Sequence, residues 1–162
     1  MKSDLELRKN LISLLKGKSA HDSFDKVVAD FPMDRINDFP PNVPYTSWHL
    51  IEHLRLTQKD ILDFIQSSNY KAPKWPEGFW PAKEKVAMPD MWQESINRFK
   101  EDLKRWEDLV MDSSVDLFAI IPNSKKSTIF RLLLIVANHN SYHVGEFGIL
   151  RQVMGTWPRS RT

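Results

Sequence analysis

The stretch that decides the fold is residues 127 to 155, STIFRLLLIVANHNSYHVGEFGILRQVMG. It reads as one long helix, with Ser127 placed to cap its start and Gly155 to end it. At 100° per residue, Leu132, Val136, Phe147, Leu150 and Met154 share one stripe, with Ile135 and Val153 at its edge. His139 and His143 fall in the middle of that stripe, and Glu146 lies slightly to one side. Buried imidazoles must be satisfied by something. Residues four apart on a helix hold their Cβ atoms about 5–6 Å from each other. Two histidines at that spacing can therefore point at one metal ion, provided a third ligand arrives from elsewhere. The same spacing suits a hydrogen-bonded pair of core histidines.

The preceding segments read as further helices. Trp92, Ile96, Phe99, Leu103, Trp106 and Val110 alternate at four and three residues after Asp90 and Gln93, which makes a structural helix without chemistry. Residues 112–126 connect it to the histidine helix. SWHLIEHLRLTQKDILDFIQ, capped by Thr46 or Ser47, carries an apolar stripe through Leu50, Leu54, Ile61, Phe64 and Ile65. His53 lies near the edge of that stripe and is the candidate third ligand. His49 points toward the polar side and is expected to be exposed. The stretch 67–85 combines Tyr70, Trp75, Phe79 and Trp80 with Pro73, Pro76, Pro81 and Gly78. It reads equally as a loop packed over one end of a bundle or as a functional segment, a wall or lid over a pocket or part of an oligomer contact.

At the N-terminal end, Ser3 and Glu6 have the spacing of a capping box before Leu5, Leu7, Leu11, Leu14 and Leu15, and Gly17 stops that helix. Ser19 and Asp22 are placed to open a second, short helix with Phe24, Val27, Val28 and Phe31 on its apolar face and Pro32 at its end. His21 falls in its first turn and is expected at the surface. Four prolines between residues 32 and 46 mark a crossing loop.

The totals bound the function. The 162 residues, 41% apolar and 27% charged, suit one domain over 1–162 with a well-buried core. There is no cysteine, which excludes disulfides, thiolate ligands and a cysteine nucleophile. The charge of +2 is interspersed, and Lys125–Lys126 and the Arg159–Arg161 tail are only small basic spots, so no nucleic-acid footprint is expected. The longest apolar run, Leu132 to Ala137, is too short to span a bilayer, and the charged N-terminus is unlike a signal peptide. A soluble, cytoplasmic protein without membrane contact is expected. Long amphipathic helices without a strand pattern, a repeat or a Gly-rich phosphate loop point to an all-α helical bundle.

Three segments carry a family resemblance: SWHLIEHLRLTQKDILDF (47–64), KWPEGFWP (74–81) and ANHNSYHVGEFGILRQVMGTWP (137–158). Together they resemble the DinB-like superfamily, the YfiT-like metal-dependent hydrolases. The resemblance implies a four-helix bundle, here with an additional short N-terminal helix, and a metal site made by His53, His139 and His143. It also implies a divalent transition metal, with zinc or nickel foremost and copper or iron compatible with the same nitrogen ligands. Relatives include transferases that use low-molecular-weight thiols such as bacillithiol, mycothiol or glutathione. A small-molecule substrate follows from the resemblance, and a homodimer is compatible with it.

Three neutral imidazoles leave a coordination position for water or substrate, which is the catalytic pattern. Thiol transfer and hydrolysis both draw on the same power of a bound cation to lower a proton affinity. Glu146 is the candidate general base or fourth ligand; the competing expectation is that it hydrogen-bonds a ligand imidazole. Tyr142 and Asn140 flank the stripe and could partner the ligand N–H groups, but packing or surface positions are the expectation for both. Two further classes compete with an enzyme: a non-catalytic metal-binding bundle serving as sensor or interaction module, and a plain helical scaffold.

Overall fold

The structure is a computed structural model that describes residues 2–17 and 20–158. Its elements are α1 (Lys2–Leu15), α2 (Phe24–Val28), α3 (Ser47–Gln66), α4 (Pro89–Met111) and α5 (Ile129–Met154), with one 3-10 turn at Met33–Arg35. Among the described residues there is no strand, only an isolated bridge between Ile120 and Thr128. Helix α1 packs on α4 and α5, α3 packs on the same two helices, and α2 leans on α5. The four long helices thus form a ring, the expected bundle, with the short α2 added in the N-terminal part of the chain.

Two apolar clusters fill the ring. One joins α2 to Trp48, Leu50, Ile51 and Leu54 of α3, Trp92, Ile96 and Phe99 of α4, and Val144, Phe147 and Leu150 of α5. The other joins α1 to the far ends of α3 and α4 and to the first half of α5. The starts of α3 and α4 therefore lie at the same end of the bundle. Residues 67–88 must return the whole length of α3 before α4 can begin, which needs a long connection. The return is pinned where it arrives: His49 at the start of α3 meets the Lys85 carbonyl at 2.9 Å. Asn37 and Ala87 exchange two hydrogen bonds beside it.

Helix ends follow local chemistry with some shifts from expectation. Thr128, not Ser127, caps α5, its hydroxyl accepting from the Arg131 N–H. Gly155 closes α5 at φ 63°, where a Cβ would be strained. Ser3 lies inside α1 rather than capping it, because the helix already runs from Lys2. Ser19 lies outside the described residues, as does the Arg159–Arg161 tail; Ser23 caps α2 instead. Helix α2 ends at Val28, and Phe31 enters the core from the turn beyond it.

Two buried arginines tie helix ends together. Arg8 donates to the Val110, Asp112 and Val115 carbonyls at 2.7–3.0 Å and to Asp4. Arg151 donates to the Val27, Ala29 and Thr156 carbonyls at 2.6–2.8 Å and lies over the Trp157 ring. The last carbonyls of a helix lack intrahelical donors, and a guanidinium can serve several at once. Arg8 does this for α4 and Arg151 for α2.

The buried arc of α5 is rotated from the expected stripe. Its centre is Leu133, Ala137, Asn140, Val144, Phe147 and Arg151, while Ile135 and Val153 are exposed. The reason is that α5 faces α1 and α2 as well as α3. His139 and His143 consequently stand half-buried at the edge of the arc.

Candidate metal centre

His53 enters from the second turn of α3 and is buried. The returning 67–88 segment crosses it. Trp80 lies flat on the imidazole, with ring centroids 3.9 Å apart and planes 7° from parallel. The Phe79 carbonyl accepts from its Nδ1 at 2.9 Å. That hydrogen bond fixes the proton on Nδ1 and leaves Nε2 as a lone pair.

His139 and His143 stand one turn apart on α5 with ring centroids 4.5 Å from each other. The Nε2 atoms of His139 and His53 are 3.2 Å apart. One ring nitrogen from each of the three histidines lies within 4.8 Å of the other two. Two nitrogens bound to one tetrahedral zinc at about 2.0–2.1 Å are about 3.3–3.4 Å apart by simple geometry. The His53–His139 pair has that spacing, and the three-histidine group could hold a divalent cation.

His143 donates from Nδ1 to Glu146 at 2.6 Å, so its Nε2 is also free to face the cluster. The other oxygen of Glu146 accepts from the Tyr45 hydroxyl. Burial pushes the Glu146 carboxyl up, but the hydrogen bonds from His143 and Tyr45 outweigh it and leave it below the ordinary range. Burial, reinforced by Glu146, raises the Tyr45 phenol. Burial pushes His53 and His139 down to about 4. Both imidazoles are neutral near pH 7, the form a metal needs.

His49 is not exposed as its helical position suggested; it is 1% exposed. Its Nδ1 accepts from the Thr46 N–H, completing a reciprocal cap at the start of α3. Its other nitrogen donates to the Lys85 carbonyl, and burial lowers its proton affinity. The returning segment covers α3 on the side that its periodicity leaves open to solvent. His21 is exposed as expected, but it precedes the Ser23 cap rather than opening α2. Its ring bridges the Asp22 carbonyl and the Ser141 hydroxyl, away from the three histidines.

Tyr142 is exposed and edge-on to His143, whereas Asn140 is buried and donates to Gln58. Sequence reasoning missed Tyr45, Gln58 and the Phe79 carbonyl. Trp80 had a signal, as part of an aromatic, proline-stiffened stretch, and the structure makes that stretch one wall of the cluster. A groove of about 590 Å³ runs between α2, α5 and Trp157, lined by His21, Val27, Val144, Gly148 and Ile149 and by none of the three clustered histidines.

A family model of the DinB superfamily matches residues 18–147. The chain belongs to the DinB superfamily. The match spans α2, α3, α4 and most of α5, and includes all three clustered histidines. Comparison with curated proteins and with solved structures returned no match. Among the described residues of this DinB protein, no helix is long and apolar enough to cross a membrane.

Proposed function

We propose that this DinB protein is a divalent-metal-dependent enzyme acting on a small molecule, with a thiol-dependent transferase ahead of a hydrolase. The observation that carries the reading is the convergence of three imidazole nitrogens from two helices within 4.8 Å. A bound cation of the zinc or nickel type would supply the positive charge that lowers the proton affinity of a thiol or a water in its open position. His53, His139 and His143 are the proposed ligands. With no anionic ligand among them, the site favours an anionic fourth partner such as a thiolate or hydroxide.

Glu146 supports this reading as the carboxylate that orients His143. Both of its oxygens are engaged, one by His143 and one by Tyr45. A carboxylate held that way fixes the imidazole's proton on Nδ1 and raises its strength as a ligand. The Phe79 carbonyl does the same for His53, and the Trp80 ring shields it from water. A cytoplasmic protein acting on a low-molecular-weight thiol, alone or as a homodimer, is consistent with the proposal.

One observation favours a non-catalytic metal-binding bundle, a sensor or interaction module: the substrate-sized groove lies away from the histidines. The experiment that separates the readings begins with metal content. Untagged protein should carry close to one equivalent of a transition metal, and the triple histidine-to-alanine variant none. Thiol-transfer and ester-hydrolysis assays on the loaded protein then decide for catalysis. A metal-free wild type after reconstitution ends both readings.

A further inference from the structure

Two of the three clustered imidazoles have a named acceptor for the nitrogen that faces away from the cluster. His53 has the Phe79 carbonyl and His143 has Glu146. His139 has none of good alignment: its Nδ1 is buried without a hydrogen-bond partner. The next residue has the complementary defect. Asn140 is 4% exposed, and its Oδ1 is also buried without a partner. A buried donor and a buried acceptor left unmade are each costly and need an explanation.

The Asn140 amide is not free to turn away. Its Nδ2 donates to Gln58 Oε1 at 2.8 Å, and Gln58 Nε2 donates to the Phe99 carbonyl of α4 at 2.8 Å. Gln58 is itself fully buried. This chain fixes which end of the Asn140 amide is oxygen and holds that oxygen on the side away from Gln58. The Asn140 side chain lies against the His139 ring.

The choice of tautomer follows. A proton on His139 Nε2 would serve His53 Nε2, 3.2 Å away, but would leave His139 Nδ1 and Asn140 Oδ1 as two buried acceptors without a donor. A proton on Nδ1 satisfies Asn140 and leaves the Nε2 lone pairs of His53 and His139 facing each other. With both rings neutral, a cation between those lone pairs satisfies every group at once. We infer that Asn140, anchored through Gln58 to the Phe99 carbonyl, is the positioning residue that holds His139 with its proton on Nδ1 and its Nε2 lone pair toward the metal. The inference rests on the metal-centre proposal. It extends that proposal to the polar core, joining α3, α4 and α5 to His139.

The test uses zinc alone as the probe on the full chain. Competition titration should show Asn140→Leu binding Zn²⁺ about tenfold to a hundredfold more weakly than wild type. Thr57→Val should bind as wild type does; Thr57 is the control because its hydroxyl is a buried, unpartnered group on α3. Nitrogen-15 histidine spectra of zinc-loaded wild type should show His139 protonated at Nδ1 with slow proton exchange. This measurement needs no variant to fold. Exchange should become fast in Asn140→Leu, a signature that simple destabilisation of the bundle does not produce.

Wild type with His139 protonated at Nε2 overturns the inference. So does a folded Asn140→Leu whose zinc affinity stays within twofold of wild type, or a loss of affinity in Thr57→Val alone. Each of those outcomes leaves the metal proposal standing. Wild-type protein that takes up no zinc overturns both.

Discussion

At the scale of single residues, the three clustered histidines are unequal in how they are held. His53 is clamped by a ring on its face and a carbonyl on its edge, and His143 by a charged hydrogen bond. Each of His53→Ala, His139→Ala and His143→Ala removes a proposed ligand outright. Metal affinity should fall by more than about a hundredfold, beyond the loss expected when only a ligand's hydrogen-bond partner is changed. Competition titration checks this, and unchanged occupancy in any one variant removes that residue from the ligand set. Tyr45→Phe acts one step further out. It leaves Glu146 on His143 but deletes the hydroxyl that holds the carboxylate's other oxygen. Affinity should fall by about tenfold or less, while Glu146→Gln, which weakens the charged hydrogen bond itself, should cost more. A Tyr45→Phe loss larger than that of Glu146→Gln would contradict this order.

At the scale of elements, the returning segment between α3 and α4 decides what surrounds the cluster. It covers His49, supplies the Phe79 carbonyl and lays Trp80 on His53. The helices themselves were legible from periodicity, since amphipathic stripes depend only on neighbouring residues in the chain. His53, His139 and His143 were legible as a group because spacing paired two of them and the family resemblance supplied the third. The environment of His49 was not legible, nor were the partners Tyr45, Gln58 and Phe79. Each depends on contacts between residues tens of positions apart, and backbone carbonyls carry no side-chain signal. The role of His49 can be checked separately from the metal. His49→Ala removes the ring nitrogen that accepts from Thr46 N–H and the tie to Lys85. It should destabilise the protein by about 1–2 kcal/mol, as loss of a helix cap does, while metal content stays unchanged. Denaturant unfolding alongside metal analysis reads both, and a loss of metal would place His49 in the site.

At the scale of the whole molecule, neutral buried imidazoles make stability depend on pH. His53 and His139 have folded values of about 4 against an ordinary 6.5, with burial the largest cause in each. Above pH 6.5 both are neutral whether the chain is folded or not, so they add no pH dependence. As pH falls below 6.5 the unfolded chain takes up these two protons and the folded one does not. The metal-free protein should therefore lose stability progressively from pH 6.5 to about 4 and level off below that for these groups. The carboxyls of Glu52 and Glu146 are held below their ordinary 4.5, so their contribution is lost only at the lower end of the window and beyond it. Asp60 and Asp102, raised by burial, work in the opposite direction. The upper part of the window, from 6.5 to about 5, reports the buried histidines together, because burial lowers His49 as well. Zinc should raise Tm at pH 7.5 and lose that effect across the same range, because protons and metal compete for the same nitrogens. Tm measured in half-unit steps of pH, with and without zinc, tests both. A metal-free Tm that stays flat between pH 6.5 and 5 would mean that His53 and His139 are not the buried neutral pair that the fold assembles.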